Sequence, residues 1–314
     1  MTTRVTNLAN NSLIQQVITK AQNRIQDAQL QISTLQKSQD YVGLSGDANR
    51  LVSMEAQRTR LNQFMTDNTS VNLRMDTTLN SLNSLKTTIS DVTGMIRDVL
   101  DDGQLPTGLD KDDFANTKIS EVEDFLNVKV NGQYIFSGSK TNVQPVQISD
   151  LNVAPQWNAT NDATTAEPSF YYKGDDTQQT ARVSENLTIN DGVTASDPAF
   201  EKLVRAIRII RTTDLSDPDY KTKYQNALDL VTQAETGVEG LQLNVGTKQQ
   251  QLATTGDQLK ETKNFLDGTI SDIEMADTST AVAELNQDQT MLQAAYTTVV
   301  RLSSLTLTNF LTTA

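Results

Sequence analysis

Apolar residues recur with heptad spacing near both ends of the sequence. In the first part they step by four and three residues through Ile14, Ile18, Ala21, Ile25, Ala28, Ile32 and Leu35. In the last part a residue every seven is apolar, and after a break near Asp277 the pattern resumes: Val245, Leu252, Leu259, Leu266, Ile273, then Leu285, Leu292, Ala295, Val299 and Leu302. This spacing is typical of coiled-coil seams. It predicts that the two ends are helical and pair with each other.

The C-terminal helix is predicted to be weak on its own. Its second seam position holds polar residues, Lys248, Thr255, Thr262 and Thr269. Three glycines also lie inside the helix, Gly246, Gly256 and Gly268. Each glycine costs about 1 kcal/mol relative to alanine in a helix. Such a helix needs partners to stay folded. We therefore expect residues 1–40 and 275–314 to be unstructured in the isolated chain and helical in an assembly.

The first half of the sequence indicates three helices. The first runs from about Asn11, a plausible N-cap, to near Gln39, before a stretch with two glycines. The second begins near residue 47 and follows one heptad register with polar interruptions: Leu51, Met54, Leu61, Met65, Met75, Leu79, Leu82, Ile89, Ile96 and Leu100, interrupted by Arg58, Asn68, Asn72, Lys86 and Thr93. The third has a short apolar side: Phe114, Ile119, Val122, Phe125, Leu126 and Val128.

The pattern changes at Asn131-Gly132, a strong signal for a two-residue hairpin turn. From there to about residue 190 the sequence predicts short strands, at 134–136, 146–148, 170–172 and 181–189, closed by a turn at Asp191-Gly192. Because turns bracket this segment, we expect a β-rich domain that can be removed with little effect on the helices. Helix is predicted to return at Pro198, in the first helical position, and again after Pro218, leading into the terminal helix.

The predicted fold is mainly α, a long antiparallel helical rod or coiled-coil bundle formed by both ends of the chain, with a small inserted β-rich domain. The predicted segments are an N-terminal heptad helix (1–45), a helical rod (46–130), a β-rich outer domain (131–195), a helical return (196–240) and a C-terminal heptad helix (241–314).

The composition of the chain argues against several classes of partner and of chemistry. The net charge of −13 argues against nucleic acid or an anionic membrane as partner, since both call for clustered Lys and Arg. The chain has no cysteine and no histidine, which removes thiolate metal sites, cysteine nucleophiles and the commonest general base. No apolar run is long enough to cross a bilayer, and the first residues lack the pattern of a cleavable signal peptide.

Candidate chemistry is sparse, and simpler interpretations account for it. Clustered carboxylates fit no calcium-loop spacing, and Ser137-Gly138-Ser139-Lys140 lacks the spacing of a phosphate loop; both are interpreted as turns. The carboxylates concerned are Asp110, Asp112, Asp113, Asp175 and Asp176. No residues assemble a nucleophile, a base and an oxyanion site. We therefore predict no catalytic residue, no metal, no cofactor and no enzyme.

The C-terminal sequence resembles the flagellin superfamily. The similarity lies in Leu292-Gln293-Ala294-Ala295-Tyr296, in Arg301 through Leu311, and in the acidic linker Asp272-Ile273-Glu274-Met275-Ala276-Asp277 before them. Within the superfamily, the stretch from Val130 to Thr141 resembles the hairpin of the hook–filament junction proteins, also called hook-associated protein 3. Filament flagellin is the alternative.

This resemblance implies a structural subunit of the bacterial flagellum, exported through the flagellar type III apparatus, whose terminal helices form the inner tube of an axial assembly. The implied partners are further copies in a ring or helix, the hook-side junction protein (hook-associated protein 1), flagellin and an export chaperone. The residues expected at the assembly interface are Ile14, Ile18, Ile25, Ile32, Leu35, Leu285, Leu292, Val299, Leu302, Leu305 and Phe310.

A third hypothesis is a cell-surface flagellin homologue that acts as an adhesin. Four aromatic residues of the β-rich segment offer ring faces on which a carbohydrate could stack: Trp157, Phe170, Tyr171 and Tyr172. The simpler interpretation is that these rings form the core of that segment.

Overall fold

The structure, a computed structural model, describes the backbone of residues 2–44, 46–148 and 171–311, and the side chains of residues 12–44, 46–148 and 171–301. Helices dominate these ranges, and the predicted mainly α fold class is confirmed. The α-helices are α1 (Thr2–Thr34), α2 (Ala48–Asp102), α3 (Lys111–Leu126), α4 (Pro198–Thr212), α5 (Tyr220–Glu274) and α6 (Thr278–Leu311). The strands are β1 (Lys129–Val130), β2 (Gln133–Tyr134), β3 (Thr180–Arg182) and β4 (Thr188–Asn190).

The chain forms two compact units. One unit contains Met1–Arg60 and Thr262–Ala314, and the other contains Leu61–Glu261. Helices α2 and α5 therefore each contribute residues to both units. The finer division into five segments stays a prediction.

Several helix boundaries follow the sequence signals. Asp110 is the N-cap of α3, accepting hydrogen bonds from the backbone N–H groups of Asp112 and Asp113, and Asp197 caps α4 just before Pro198. Two predicted boundaries of α1 are wrong, since the helix begins at Thr2 and ends at Thr34 instead of running from Asn11 to Gln39.

In the second unit, the second position of the α2 heptad lies one residue earlier than the sequence indicated. Met75, Leu82, Ile89 and Ile96 are buried as predicted. Their heptad partners are the fully or almost fully buried Leu85, Val92 and Val99. The polar interruptions Lys86 and Thr93 stand one position farther along and are only partly buried. From Leu82 to Val99 the seam of α2 is therefore continuous and apolar.

The hairpin at Asn131-Gly132 is confirmed. Both residues have positive φ, 52° and 80°, as a type I′ turn requires, and they join β1 to β2. The strand predicted over 181–189 is instead the β3–β4 hairpin, because the chain reverses where Val183 N–H donates to Leu187 O. Val146 and Tyr172 pair in a single antiparallel bridge.

The described residues of the β-rich segment share one hydrophobic core with the helices of this unit. The Phe136 ring meets the Phe200 ring of α4 edge-on, with 6.3 Å between centroids. Phe136, Val146, Tyr171, Val183 and Ile189 belong to the same hydrophobic cluster as the buried faces of α2, α3, α4 and α5. The bracketing turns suggested a removable insertion, but the core is shared because the strands in the described part of the segment are too short to enclose their own apolar residues.

Candidate assembly surface on the terminal helices

Helices α1 and α6 pack against each other in the first unit. Gln22 Nε2 donates to Tyr296 Oη at 3.1 Å, whereas Ala276 N–H, just before α6, donates to Leu35 O at 3.0 Å. Contacts that move forward along α1 thus move backward along α6, so the helices are antiparallel. The sequence-based prediction that these two segments pair is confirmed.

Most of the predicted interface residues whose side chains the structure describes lie along the contact of α1 with α6 and are only partly buried. The buried apolar residues of this seam are small: Ala21, Ala28 and Ala281. Larger seam residues are half-buried: Ile14, Ile18, Ile25, Ile32, Leu285, Leu292 and Val299. Leu302, Leu305 and Phe310 fall in α6 beyond the side chains that the structure describes.

Leu35 differs from the other predicted interface residues. It lies just beyond the end of α1, with a left-handed φ of 59° and 54% of its surface exposed. Its N–H still donates to Gln31 O at 2.8 Å, so it closes the helix in the position where glycine is most common. The heptad pattern gave no sign of this end.

A charged pair crosses the α1–α6 seam, and the heptad analysis missed it. Asp288 stands between Leu285 and Leu292 in the α6 register, and its side chain is 8% exposed. Arg24 of α1 donates to its two carboxylate oxygens, from Nε at 2.9 Å and from Nη2 at 2.6 Å. These hydrogen bonds raise the pKa of Arg24. A polar residue at a seam position is a known means of fixing the register of paired helices.

The outward faces of the pair carry apolar side chains in contact with solvent. On α1 these are Leu13, Val17 and Leu30, and on α6 they are Val282, Met291, Tyr296 and Val300. Val300 is 67% exposed. Exposed apolar residues are ordinary when scattered, but a concentration of them on two paired helices indicates a surface that a partner covers.

Two of the carboxylates considered for metal binding, Asp110 and Asp175, accept hydrogen bonds from neighbouring backbone groups. Hydrogen bonds from the backbone N–H groups of Asp113 and Asp112 lower the pKa of Asp110 at the start of α3. Asp175 accepts hydrogen bonds from the Ser139 and Thr177 N–H groups at 2.9 and 3.0 Å, and those from the hydroxyl and N–H of Ser139 lower its pKa most. Among the described residues no His, Cys, Asp or Glu cluster could hold a metal ion.

The loop at Ser137-Gly138-Ser139-Lys140 is a packed turn. Gly138 has φ of 68°, and a Cβ there would lie 2.1 Å from the backbone oxygen of Asp175. Lys140 Nζ donates to Gly174 O at 3.1 Å. The glycine is therefore required for the backbone to approach so closely, and the lysine is engaged in holding the turn.

The aromatic residues of the adhesin hypothesis are used in packing where the structure describes them. Tyr171 is fully buried and its hydroxyl donates to Ala195 O at 2.8 Å. Tyr172 is partly buried and its hydroxyl donates to Asp175 O at 2.5 Å. Trp157 and Phe170 lie outside the described residues. Tyr171 is therefore a core residue, as the simpler interpretation predicts, whereas the adhesin hypothesis stays a prediction.

No helix within the described ranges is both long enough and apolar enough to cross a membrane.

This chain resembles a known protein family in part of its sequence and known protein structures in its fold. Residues 228–311 match the family model of the bacterial flagellin C-terminal helical region. A protein described as a flagellar hook-associated protein of Vibrio parahaemolyticus has a similar structure, with a TM-score of 0.56 and 15% sequence identity over 75% of this chain and 99% of that chain. FlgL of Bacillus cereus has a TM-score of 0.52 and 13% identity over 71% of this chain and 99% of that chain. No curated protein sequence matches.

The family match covers most of α5 and all of α6, the helices that carry the C-terminal heptads. At identities this low, the two similar structures concern the fold. The family match and the shared fold confirm the resemblance to the flagellin superfamily that the C-terminal residues indicated.

Proposed function

We propose that this chain, which carries the flagellin C-terminal helical region within a fold like that of hook-associated proteins, is a structural subunit of the bacterial flagellum that joins the hook-side junction ring to the filament. The observation that carries the proposal is the α1–α6 pair. Its helices cover each other only at partial depth, and its outer faces expose apolar side chains. A pair of this kind gains stability when neighbouring copies bury the remaining surface.

The proposed interface comprises the seam and the outer faces of the pair. The seam residues orient the two helices, and the exposed residues contact other subunits. Leu302, Leu305 and Phe310 continue the same helix and belong to the proposed surface through their sequence register. Leu35 belongs to it as an exposed apolar residue at the end of α1.

The subunit acts outside the cell and is not an enzyme. It reaches the flagellum through the flagellar type III apparatus, with an export chaperone as partner before secretion. In the flagellum it contacts further copies of itself in a ring or helix, hook-associated protein 1 on the hook side and flagellin on the other. The weak helices suit such export, since α5 retains Gly246, Gly256 and Gly268, where a Cβ would meet no atom within 4 Å.

Filament flagellin is the second candidate function, favoured by the family match, whose description is that of flagellin. The fold of the hook-associated proteins described above favours the junction. The two roles differ in what limits growth, because flagellin adds without limit whereas a junction subunit forms a collar of fixed length.

The test adds the purified chain to isolated hooks that carry hook-associated protein 1, followed by flagellin. The junction role predicts a short collar on each hook, seen by electron microscopy, and filament growth that requires the collar. Long filaments made of this chain alone would identify it as a flagellin, and failure to bind hooks in any form would contradict a flagellar role. Hooks stripped of hook-associated protein 1 serve as the control.

A further inference from the structure

Two helix breaks meet at one place in the first unit. The stretch after α1 pairs with the stretch between α5 and α6: Lys37 N–H donates to Glu274 O at 2.7 Å, and Ala276 N–H donates to Leu35 O at 3.0 Å. Between these hydrogen bonds, Gln36 and Met275 form an antiparallel bridge. We call residues 35–37 and 274–276 the joint.

Side chains fasten the joint to the helices around it. Lys37 Nζ donates to Asp272 O at 3.1 Å in the last turn of α5, and Gln31 Nε2 of α1 donates to Lys37 O at 3.0 Å. Asp277 then caps α6, accepting from the Ser279 N–H at 3.0 Å. Leu35 adopts the left-handed backbone that leucine disfavours, and it does so where its carbonyl receives one of the two ladder bonds.

Burial alone holds α1 weakly. Among its described apolar side chains only Ala21 and Ala28 are buried, and alanine contributes little apolar area. The two helices are also held in register at separated points, at the joint and at the Arg24–Asp288 pair. A helix attached in this way loses most of its support when the opposite helix leaves.

We propose that the joint couples α1 to α6, so that the two helices open and close as one unit rather than separately. Opening of either helix then involves release of the ladder between Leu35 and Ala276. The inference depends on the geometry of the joint and not on the flagellar role. It is tested on the isolated chain, where it requires α1 and α6 to be helical, in contrast to the sequence-based expectation that residues 1–40 and 275–314 are unstructured there.

The chain has no cysteine, so an engineered pair is its only pair of thiols. Gln36 and Met275 form a non-hydrogen-bonded antiparallel pair, for which Cα atoms are about 4.5 Å apart, within the range that a disulfide spans. The variant is Gln36→Cys/Met275→Cys, and its reduced form is the matched control. Amide hydrogen exchange is measured at residues 12–34 and 278–301 in both forms.

Oxidation is expected to slow exchange in α1 and α6 together, by the same factor and by at least about 10-fold, because a disulfide closing a long loop strongly disfavours opening. A second variant acts in the other direction. Ala276→Pro removes the N–H that donates to Leu35 and should speed exchange in both helices by roughly 2- to 10-fold, whereas Ala276→Ser keeps that N–H and should leave the rates close to those of the original chain.

Three results would overturn the proposal. A thiol pair that does not oxidise under mild conditions would show that the joint is not formed in solution. A change confined to one helix would show that the helices open independently. Unchanged exchange in both helices after oxidation would show that they open with the joint closed.

Discussion

Asp288 of α6 lies at a seam position and is closed over by Arg24 of α1, which makes two hydrogen bonds to its carboxylate. The Arg24 side chain is 54% exposed whereas the Asp288 side chain is 8% exposed. The aspartate is therefore the desolvated partner, and the arginine can return to water when the pair is broken. The two residues contribute unequally for that reason.

The first prediction follows from this inequality. Arg24→Ala should destabilise the α1–α6 pair, because it leaves a nearly buried carboxylate without its partner. Asp288→Leu should leave the stability within about 1 kcal/mol of the original or raise it, since an apolar side chain suits the seam. Thermal unfolding followed by circular dichroism measures both, and a larger loss for Asp288→Leu than for Arg24→Ala would contradict this assignment.

The same pair is expected to specify register. Asp288→Leu should therefore broaden the distance between spin labels placed at positions 22 and 296, whose native side chains are hydrogen-bonded in the structure. Leu285→Met, a volume-conserving change in the same helix, is the control and should leave the distance distribution narrow. An equally narrow distribution in Asp288→Leu would show that apolar packing alone sets the register.

The second prediction compares two glycines of α5. A Cβ at Gly237 would lie 2.6 Å from the Cβ of Ala199 in α4, whereas a Cβ at Gly246 would meet nothing within 4 Å. Gly237→Ala should cost about 1–3 kcal/mol through overpacking, and Gly246→Ala should gain about 0.5–1 kcal/mol through helix propensity. Urea unfolding gives both values. Equal effects at the two positions would mean that α4 does not approach α5 at Gly237.

The third prediction concerns acid. The Thr280 hydroxyl, at 2.8 Å, and the N–H groups of Thr280 and Ser279 donate to Asp277 and lower its pKa below the ordinary 3.8. Its charged form therefore stabilises α6 above about pH 4, and that stabilisation is lost as the pH falls through the lowered pKa. The Thr280 amide resonance should titrate with a midpoint below 3.8, and in Asp277→Asn, which keeps the cap, this titration should disappear. A midpoint above 3.8 would contradict the capping contact.

The fourth prediction tests the shared core of the second unit. Phe136 is fully buried against Phe200, so Phe136→Ala should cost about 3–5 kcal/mol. Val143, in the same segment, is 40% exposed, and Val143→Ala should change the stability by less than about 0.5 kcal/mol. Replacing residues 133–190 with a short Gly-Ser linker should leave the helices of this unit unable to fold cooperatively. Cooperative unfolding of that deletion variant would restore the view of a removable domain.

The sequence predicted the elements that depend on local chemistry. Heptad spacing identified the pairing of α1 and α6, the break near Asp277 and the buried residues of α5 from Val245 to Ile273. Asn131-Gly132 and Asp197-Pro198 fixed a turn and a helix start, because few other conformations suit those residues.

Details that depend on one specific tertiary contact could not be predicted. Helix α1 ends at Thr34 without a glycine or proline there, because the pairing of Leu35 with Ala276 holds the end in place. The heptad pattern did not identify Asp288 as a seam residue, because its partner Arg24 is distant in sequence. The second seam position of α2 was assigned to the polar residues Lys86 and Thr93, whereas the buried positions are the apolar residues directly before them.

The fifth prediction concerns incorporation into the flagellum. Leu292→Asp places a charge in the half-buried seam and should abolish incorporation by disrupting the α1–α6 pair. Val300→Asp should also abolish incorporation, but for a different reason. Val300 points to solvent in the isolated chain, so its replacement should leave helix content unchanged and remove only the contact with other subunits. Secretion should persist in both variants.

The most direct measurement compares the amount of the Val300→Asp variant incorporated into purified flagella with the amount of the Leu243→Asp variant. Leu243 is an equally apolar and 74% exposed residue of α5, in the other unit, so the two substitutions match in chemistry and exposure and differ in place. The account predicts that both variants are secreted, that Leu243→Asp is incorporated and supports swimming, and that Val300→Asp remains in the medium. Normal incorporation of Val300→Asp would contradict the claim that the outer face of the terminal helices joins the subunits.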